Sequence, residues 1–158
     1  MSESSQPLIR FMLSDIDGTL LRADHSLSQA NIDAVRKLRE AGIQFSVASS
    51  RPPRAMRQQI EALGIDLPTV GFNGANIVNP DGSLLKAHRI DADAARTSLE
   101  LFAGEKVSVW VFADDQWLLL DPQGDYVEHE RNTLGYDFVQ VEHFEGYLDR
   151  IDKIVAAS

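Results

Sequence analysis

The chain contains no cysteine. That excludes disulfides and thiolate metal sites, and it suits a reducing cytoplasm. Long apolar runs are also missing: none approaches the ~20 residues that a membrane-spanning helix needs. The opening MSESSQP is short and polar, so no signal peptide is expected there and residues 1–7 read as a flexible tail. Positive charge is scarce. Against 24 Asp and Glu stand 15 Lys and Arg, a formal charge of −9. Such a surface repels phosphate backbones, so no nucleic-acid partner is expected. A small phosphorylated molecule remains open, because local N–H groups, an arginine or a cation suffice to hold it. Internal repeats and low-complexity tracts are lacking.

What is present is ordinary globular material. Hydrophobic residues make up 44% of 158 positions and charged residues 25%. This length makes one domain, or one domain and part of another. Leu8–Leu13 is a short apolar run that suits a buried strand. Ile32, Val35 and Leu38 then recur at helical spacing, with Ser26 or Ser28 as the cap and Gly42 as the stop. Ile43–Ala48 reads as a second strand. Pro52 and Pro53 open a second helix with the stripe Met56, Ile60 and Leu63, ended by Gly64. Pro68–Phe72 is a third strand. NGANIVNPDGSLL follows as a hairpin turning at Asn79–Gly82.

After about Leu85 the texture changes. Asp91–Ala103 is a helix, and VSVWVF and WLLL are antiparallel neighbours joined by ADDQ. Residues 123–134 read as helix, DFVQVEHF as an exposed alternating strand and IDKIVAA as another strand. The first part is therefore β-α-β-α-β, the pattern of a parallel doubly wound α/β sheet, and the second is α+β. The expected division is 1–87 and 88–158.

Parallel strands joined by right-handed crossovers share one C-terminal edge. Asp15, Ser49 and Phe72-Asn73-Gly74 each follow a strand, so all three should meet there, where open α/β sheets hold ligands. The stretch SDIDGTLL carries the chemistry. An Asp- and Gly-rich turn is one reading of it. An EF-hand loop is excluded, because positions six and twelve would be Leu20 and Ser26. No phosphate loop ending in Lys-Ser or Lys-Thr and no dinucleotide fingerprint is present. Two acids flanking Ile16 also suit catalysis: one carboxylate attacks phosphorus while the other moves the leaving-group proton. Their mutual repulsion invites a Mg²⁺, and Gly18 lets backbone N–H groups approach a phosphate.

Asp15-Ile16-Asp17-Gly18-Thr19-Leu20 resembles the first motif of the haloacid dehalogenase (HAD) superfamily of phosphohydrolases. The resemblance continues through AGIQFSVASSR and VGFNGANIV and is similar in detail to the Cof-type branch, mostly phosphatases of small phosphometabolites with a large cap. It implies a HAD-like Rossmannoid core, with Asp15 as nucleophile and Asp17 as general acid/base. Mg²⁺ would lie on the Asp15 side chain and the Asp17 carbonyl. Ser49 matches the hydroxyl position that holds the transferred phosphoryl group, in ASSR where the branch usually reads ATGR. Gly18, Ser50, Arg51, Asn73 and Gly74 would line the phosphate and substrate. Arg51 equally suits a surface charge at a helix start, and Asn73 and Gly74 a tight turn.

The family's later lysine and its acidic GDxxND motif have no counterpart. Lys86, Lys106 and Lys153 are the lysines after ASSR. Asp114-Asp115 and Gly124-Asp125 read as solvated turn charges. The expectation is a family member truncated within its cap, with an exposed sheet edge. None of His25, His88, His129 and His143 has a metal-ligand partner at i+4. Trp110, Phe112 and Trp117 read as core. Three functions follow: a Mg²⁺-dependent phosphatase of small phosphorylated metabolites, a non-catalytic binding or assembly fragment, or a phosphotransferase or phosphomutase of the same fold.

Overall fold

The computed structural model describes residues 9–158. The expected tail and Leu8 lie outside these residues. Strand β1 spans Phe11–Ser14 and pairs in parallel with β2, Gln44–Val47. Between them runs α1, Gln29–Glu40, whose start is capped by Ser28 Oγ accepting from the Asn31 N–H at 3.1 Å. Lys37 and Arg39 occupy its last turn, where cations oppose the partial negative charge of the helix end. The chain before α1 holds more than a simple turn. Ile16–Leu20 forms one wide turn closed by the Leu21 N–H on the Ile16 carbonyl at 3.0 Å, and Leu21 then bridges antiparallel to Leu27.

The second helix starts later than Pro52. Pro53–Met56 forms a 3₁₀ turn first, and α2 covers Arg57–Leu63 before Gly64 stops it at φ 62°. Strand β3, Thr69–Gly71, meets the end of β2 through a parallel Ala48–Val70 bridge. Strands β4 (Asn76–Val78) and β5 (Leu84–Ala87) complete an antiparallel hairpin around Asn79–Gly82. The first core gathers Ile16, Val35, Phe45, Val47, Met56 and Leu63 between the sheet and the two helices. On the other side of β1, among the described residues, no strand pairs. Phe11, Met12 and Leu13 are 49%, 46% and 51% exposed.

The second region is a four-stranded sheet in the order β8-β7-β6-β9. Helix α3 (Ala92–Ala103) begins at Asp91, whose carboxylate accepts from the Asp93 and Ala94 N–H groups. Strands β6 (Ser108–Ala113) and β7 (Gln116–Leu119) form a hairpin, and β9 (Ile151–Ala157) pairs antiparallel on the other side of β6. Alternation sorts β6. Trp110 and Phe112 pack with Trp117, Leu119 and α4 (Val127–Leu134), whereas Val111 and Ala113 pack with α3 and Phe144. These three aromatics are core, as their spacing predicts, at 1–3% exposure or less.

Two readings of this region need correction. The helix expected over 123–134 begins only at Val127, after Tyr126 at φ 66°. The alternating segment DFVQVEHF yields just β8, Val139–Gln140, parallel to β7. From Glu145 the chain turns into a 3₁₀ segment, Glu145–Arg150, because Phe144 and Leu148 are drawn beneath the sheet. The two regions touch through aromatic packing. Phe72 meets Phe112 with ring centroids 5.6 Å apart, and Arg54 lies over the Tyr136 ring at 4.4 Å.

Candidate active site

The parallel strand ends do converge. The Ala48 N–H donates to the Ser14 carbonyl and the Ser49 N–H to the Val70 carbonyl, both at 2.9 Å. The Asn73 N–H donates to the Ser49 carbonyl and the Phe72 N–H to the Arg51 carbonyl, both at 3.0 Å. Asp15, the Ser49–Arg51 loop and Asn73 thus sit on one backbone scaffold, built from three strand ends.

Within it, Asp15 is exposed, and its Oδ2 accepts from the Thr19 hydroxyl at 3.2 Å. Thr19 thereby orients one carboxylate oxygen and leaves the other free. Gly18 follows at φ 72°, a backbone state that side chains rarely adopt, and nothing lies within 4 Å of where its Cβ would be. The space above this turn is open. Ser49 is 5% exposed, and its Oγ accepts from the Arg51 N–H at 3.1 Å. Its hydroxyl proton is therefore available to donate to an incoming oxygen.

Arg51 is placed differently from a substrate contact. Its Nε and Nη2 grip Asp17 Oδ2 and Oδ1 at 2.8 and 2.6 Å, and its side chain is only 9% exposed. Such a two-pronged, charge-assisted pair fixes the plane of the carboxylate. Ser50 is exposed, with its carbonyl facing outward toward the second region. Asn73 and Gly74 are exposed at φ 56° and 104°, so the tight-turn reading holds for both, at the rim of the same edge.

Four contributors escaped the linear reading. His25 stands at φ 61° with Nδ1 3.8 Å from Asp17 Oδ1, reached by the loop between Leu21 and Leu27. Gly71 abuts Pro53: a Cβ there would meet the proline ring at 2.9 Å and the Arg51 carbonyl at 3.1 Å. Lys153 is one of the lysines after ASSR. From β9 its Nζ reaches the Ser50 carbonyl at 3.5 Å. Glu130 on α4 faces the same space. Burial pushes its carboxyl above the usual range, opposed by the charges of Lys153, His129 and Arg51. Of these, only Gly71 had a local signal, since a glycine at a strand end beside a Pro-Pro pair hints at close backbone approach. Asp114 and Asp115 are exposed in the β6–β7 turn, as read, and they also pair at the surface with Arg57, Arg89 and Arg150.

For a metal, the available donors are hard oxygens from Asp15 and from the Asp17 carbonyl, which suit Mg²⁺ in kind. Among the described residues no group of three or more acidic, His or Cys side chains could hold an ion, so Asp15 and the Asp17 carbonyl are the donors these residues offer.

A family model for haloacid dehalogenase-like hydrolases matches residues 12–158. The chain belongs to this family. Its HAD-like α/β fold recurs in a HAD-superfamily phosphatase from Bacteroides thetaiotaomicron, at TM-score 0.72 and 27% identity over 92% of this chain and 54% of that one. It recurs also in a Thermotoga maritima protein, at TM-score 0.76 and 19% identity over 94% and 56% of the two chains. An HMP-PP phosphatase of Cronobacter sakazakii is 33% identical over 104 residues, 66% of this chain and 38% of that protein. The chain thus spans about half the length of the solved relatives, and the aligned part covers less of the curated one. Motifs and neighbours together make it a Cof-type HAD hydrolase.

Proposed function

We propose that this HAD chain carries the nucleophile end of a Mg²⁺-dependent phosphomonoesterase for small phosphorylated metabolites. The observation that carries the reading is the shared strand edge on which Asp15 stands beside the buried Ser49 hydroxyl. The curated relatives named as HMP-PP phosphatases support it. The free Asp15 oxygen attacks phosphorus, and the bond from phosphorus to the leaving oxygen breaks. One Asp17 oxygen leaves Arg51 to carry the proton that goes to that leaving oxygen, while the other stays held by the guanidinium. Asp17 then takes a proton from water as the water attacks the aspartyl-phosphate, and inorganic phosphate departs. Ser49 and the N–H groups near Gly18 hold the phosphoryl oxygens. Mg²⁺ held by Asp15 and the Asp17 carbonyl would offset the charge between carboxylate and phosphate. Arg51 and His25 position Asp17. Glu130 and Lys153 face the leaving-group side, which divides the chain into a core part to about Ala87 and a cap part from His88. The lack of cysteine suits a cytoplasmic setting.

The test is phosphate release from an aryl phosphate with and without Mg²⁺. Metal-dependent release that disappears in Asp15→Asn supports the reading. Release that survives the substitution rejects it. The open β1 edge favours a second reading, a fragment that assembles rather than turns over. A folded chain with no release at all, forming concentration-dependent oligomers, would establish that one.

A further inference from the structure

A cavity lies away from the Asp15 edge. Its volume is about 480 Å³, within the ordinary range for small-molecule sites. Asp15, Asp17 and Ser49 do not line it. It opens between α2, the β4–β5 hairpin and the β6–β7 turn, and both regions of the molecule contribute to its wall.

Two polar side chains in that wall are nearly sealed from solvent. Asn76 on β4 is 5% exposed, and the Asp152 side chain on β9 is 5% exposed. Asn76 Oδ1 and Asp152 Oδ1 have no hydrogen-bond partner. Both are acceptors. Burial raises the Asp152 carboxyl above its usual range, and the Asn76 amide and Arg89 beside it only partly offset this; two buried acceptors left short of donors can take N–H or O–H groups from outside the chain. The nearest cation, Arg89, keeps its Nε 3.7 Å from Asp152 Oδ1 and turns its Nη2 to Asp114. Arg57 is likewise engaged, by Asp115 at 3.1 Å. The lining acids outnumber the lining arginines, with Glu61 and Asp81 on the rim free of any arginine among the described residues.

Unsatisfied acceptors at the bottom, engaged arginines and excess carboxylates at the rim define one ligand chemistry. We infer that this cavity binds a small organic cation with a primary ammonium head, held by Asn76 Oδ1 and Asp152 Oδ1. The ammonium supplies up to three donors and the charge that the walls lack. Asn76 belongs to the first region and Asp152 to the second, so the cation bridges the two. Binding to the folded state alone then raises thermal stability by mass action.

The experiment is a calorimetric titration of the intact chain with 1,4-diaminobutane at low salt, beside tetramethylammonium, which has the charge but no N–H donors. Saturable one-to-one binding of the diamine is expected, with tetramethylammonium weaker by about tenfold or more. Asp152→Asn should weaken diamine binding by about tenfold or more. Glu61→Gln, on the exposed rim, should weaken it by roughly twofold and flatten its salt dependence. Should Asp152→Asn fail to fold, the rim variant and amide chemical shifts decide: shifts must centre on Asn76, Arg89 and Asp152. Equal affinity for both cations, shifts centred elsewhere, or no saturation in the millimolar range would overturn the inference. In the last case ordered water satisfies the two acceptors.

Discussion

Strands β1 and β6 are both short apolar runs, yet the molecule treats them oppositely. β6 has a strand on each side and a packed layer on each face, and Trp110, Val111, Phe112 and Ala113 are all at most 3% exposed. β1 has β2 alone, and Phe11, Met12 and Leu13 are each about half exposed. Hydrophobicity therefore does not decide burial here; the number of neighbours does. The chemistry divides the opposite way. The poorly covered first region ends its strands in Asp15, Ser49 and Asn73. The well-covered second region supplies packing, and only Lys153 and Glu130 reach toward those groups.

The sharpest way to break this contrast is at Asp15. Asp15→Asn should lower Mg²⁺-dependent phosphate release by roughly 10³-fold or more while leaving the melting temperature near its starting value. An equal loss of stability would show that Asp15 is structural. Next comes packing. Phe112→Ala should cost about 3–5 kcal/mol in denaturant unfolding, because it opens a cavity against Phe72 and Trp117. Phe11→Ser should stay within about 0.5 kcal/mol and reduce self-association in sedimentation. Equal costs at the two sites would erase the contrast.

Arg51→Ala should slow turnover by roughly 10²-fold, by releasing Asp17. Arg51→Lys should recover only part of this, since an ammonium cannot hold both carboxylate oxygens in one plane. Comparable rates for Arg and Lys would reduce Arg51 to a general positive charge. Gly71→Ala should cost about 1–3 kcal/mol by driving the Pro53 ring and the Arg51 carbonyl away from β3.

The smallest effect concerns Glu130. Its folded-state pKa is raised, mainly by burial, so the folded chain binds more protons than the unfolded one just above the ordinary carboxylate range. Its contribution thus falls as pH rises from the unfolded pKa through the folded one. Glu130→Gln should flatten the decline of melting temperature with pH in that window. An unchanged slope would place the titration elsewhere.

Much of this was readable along the chain. The DxDGT turn, the Ser28 cap, the Gly64 stop and the hairpins at Asn79–Gly82 and Asp114–Asp115 all depend on near neighbours, so their signals are local. β8 is shorter than its pattern predicts, because alternation in 137–144 describes a strand only where a partner is within reach, and β7 meets just two of its residues. The wide turn at Ile16–Leu20 and the Leu21–Leu27 bridge were invisible to hydrophobic periodicity, which they interrupt.

The sequence by itself determined the strand-helix alternation and the residues at the strand ends. A right-handed crossover leaves few options for parallel strands, so Asp15 and Ser49 had to share an edge. Only the tertiary structure decided what each charge does there. Arg51 lies 34 positions from Asp17 and Lys153 lies 103 from Ser50. No periodicity reaches across such separations. Pairing of β1 with β2 makes Arg51 a clamp on Asp17, and packing of the second region on the first makes Lys153 a neighbour of the Ser49–Arg51 loop.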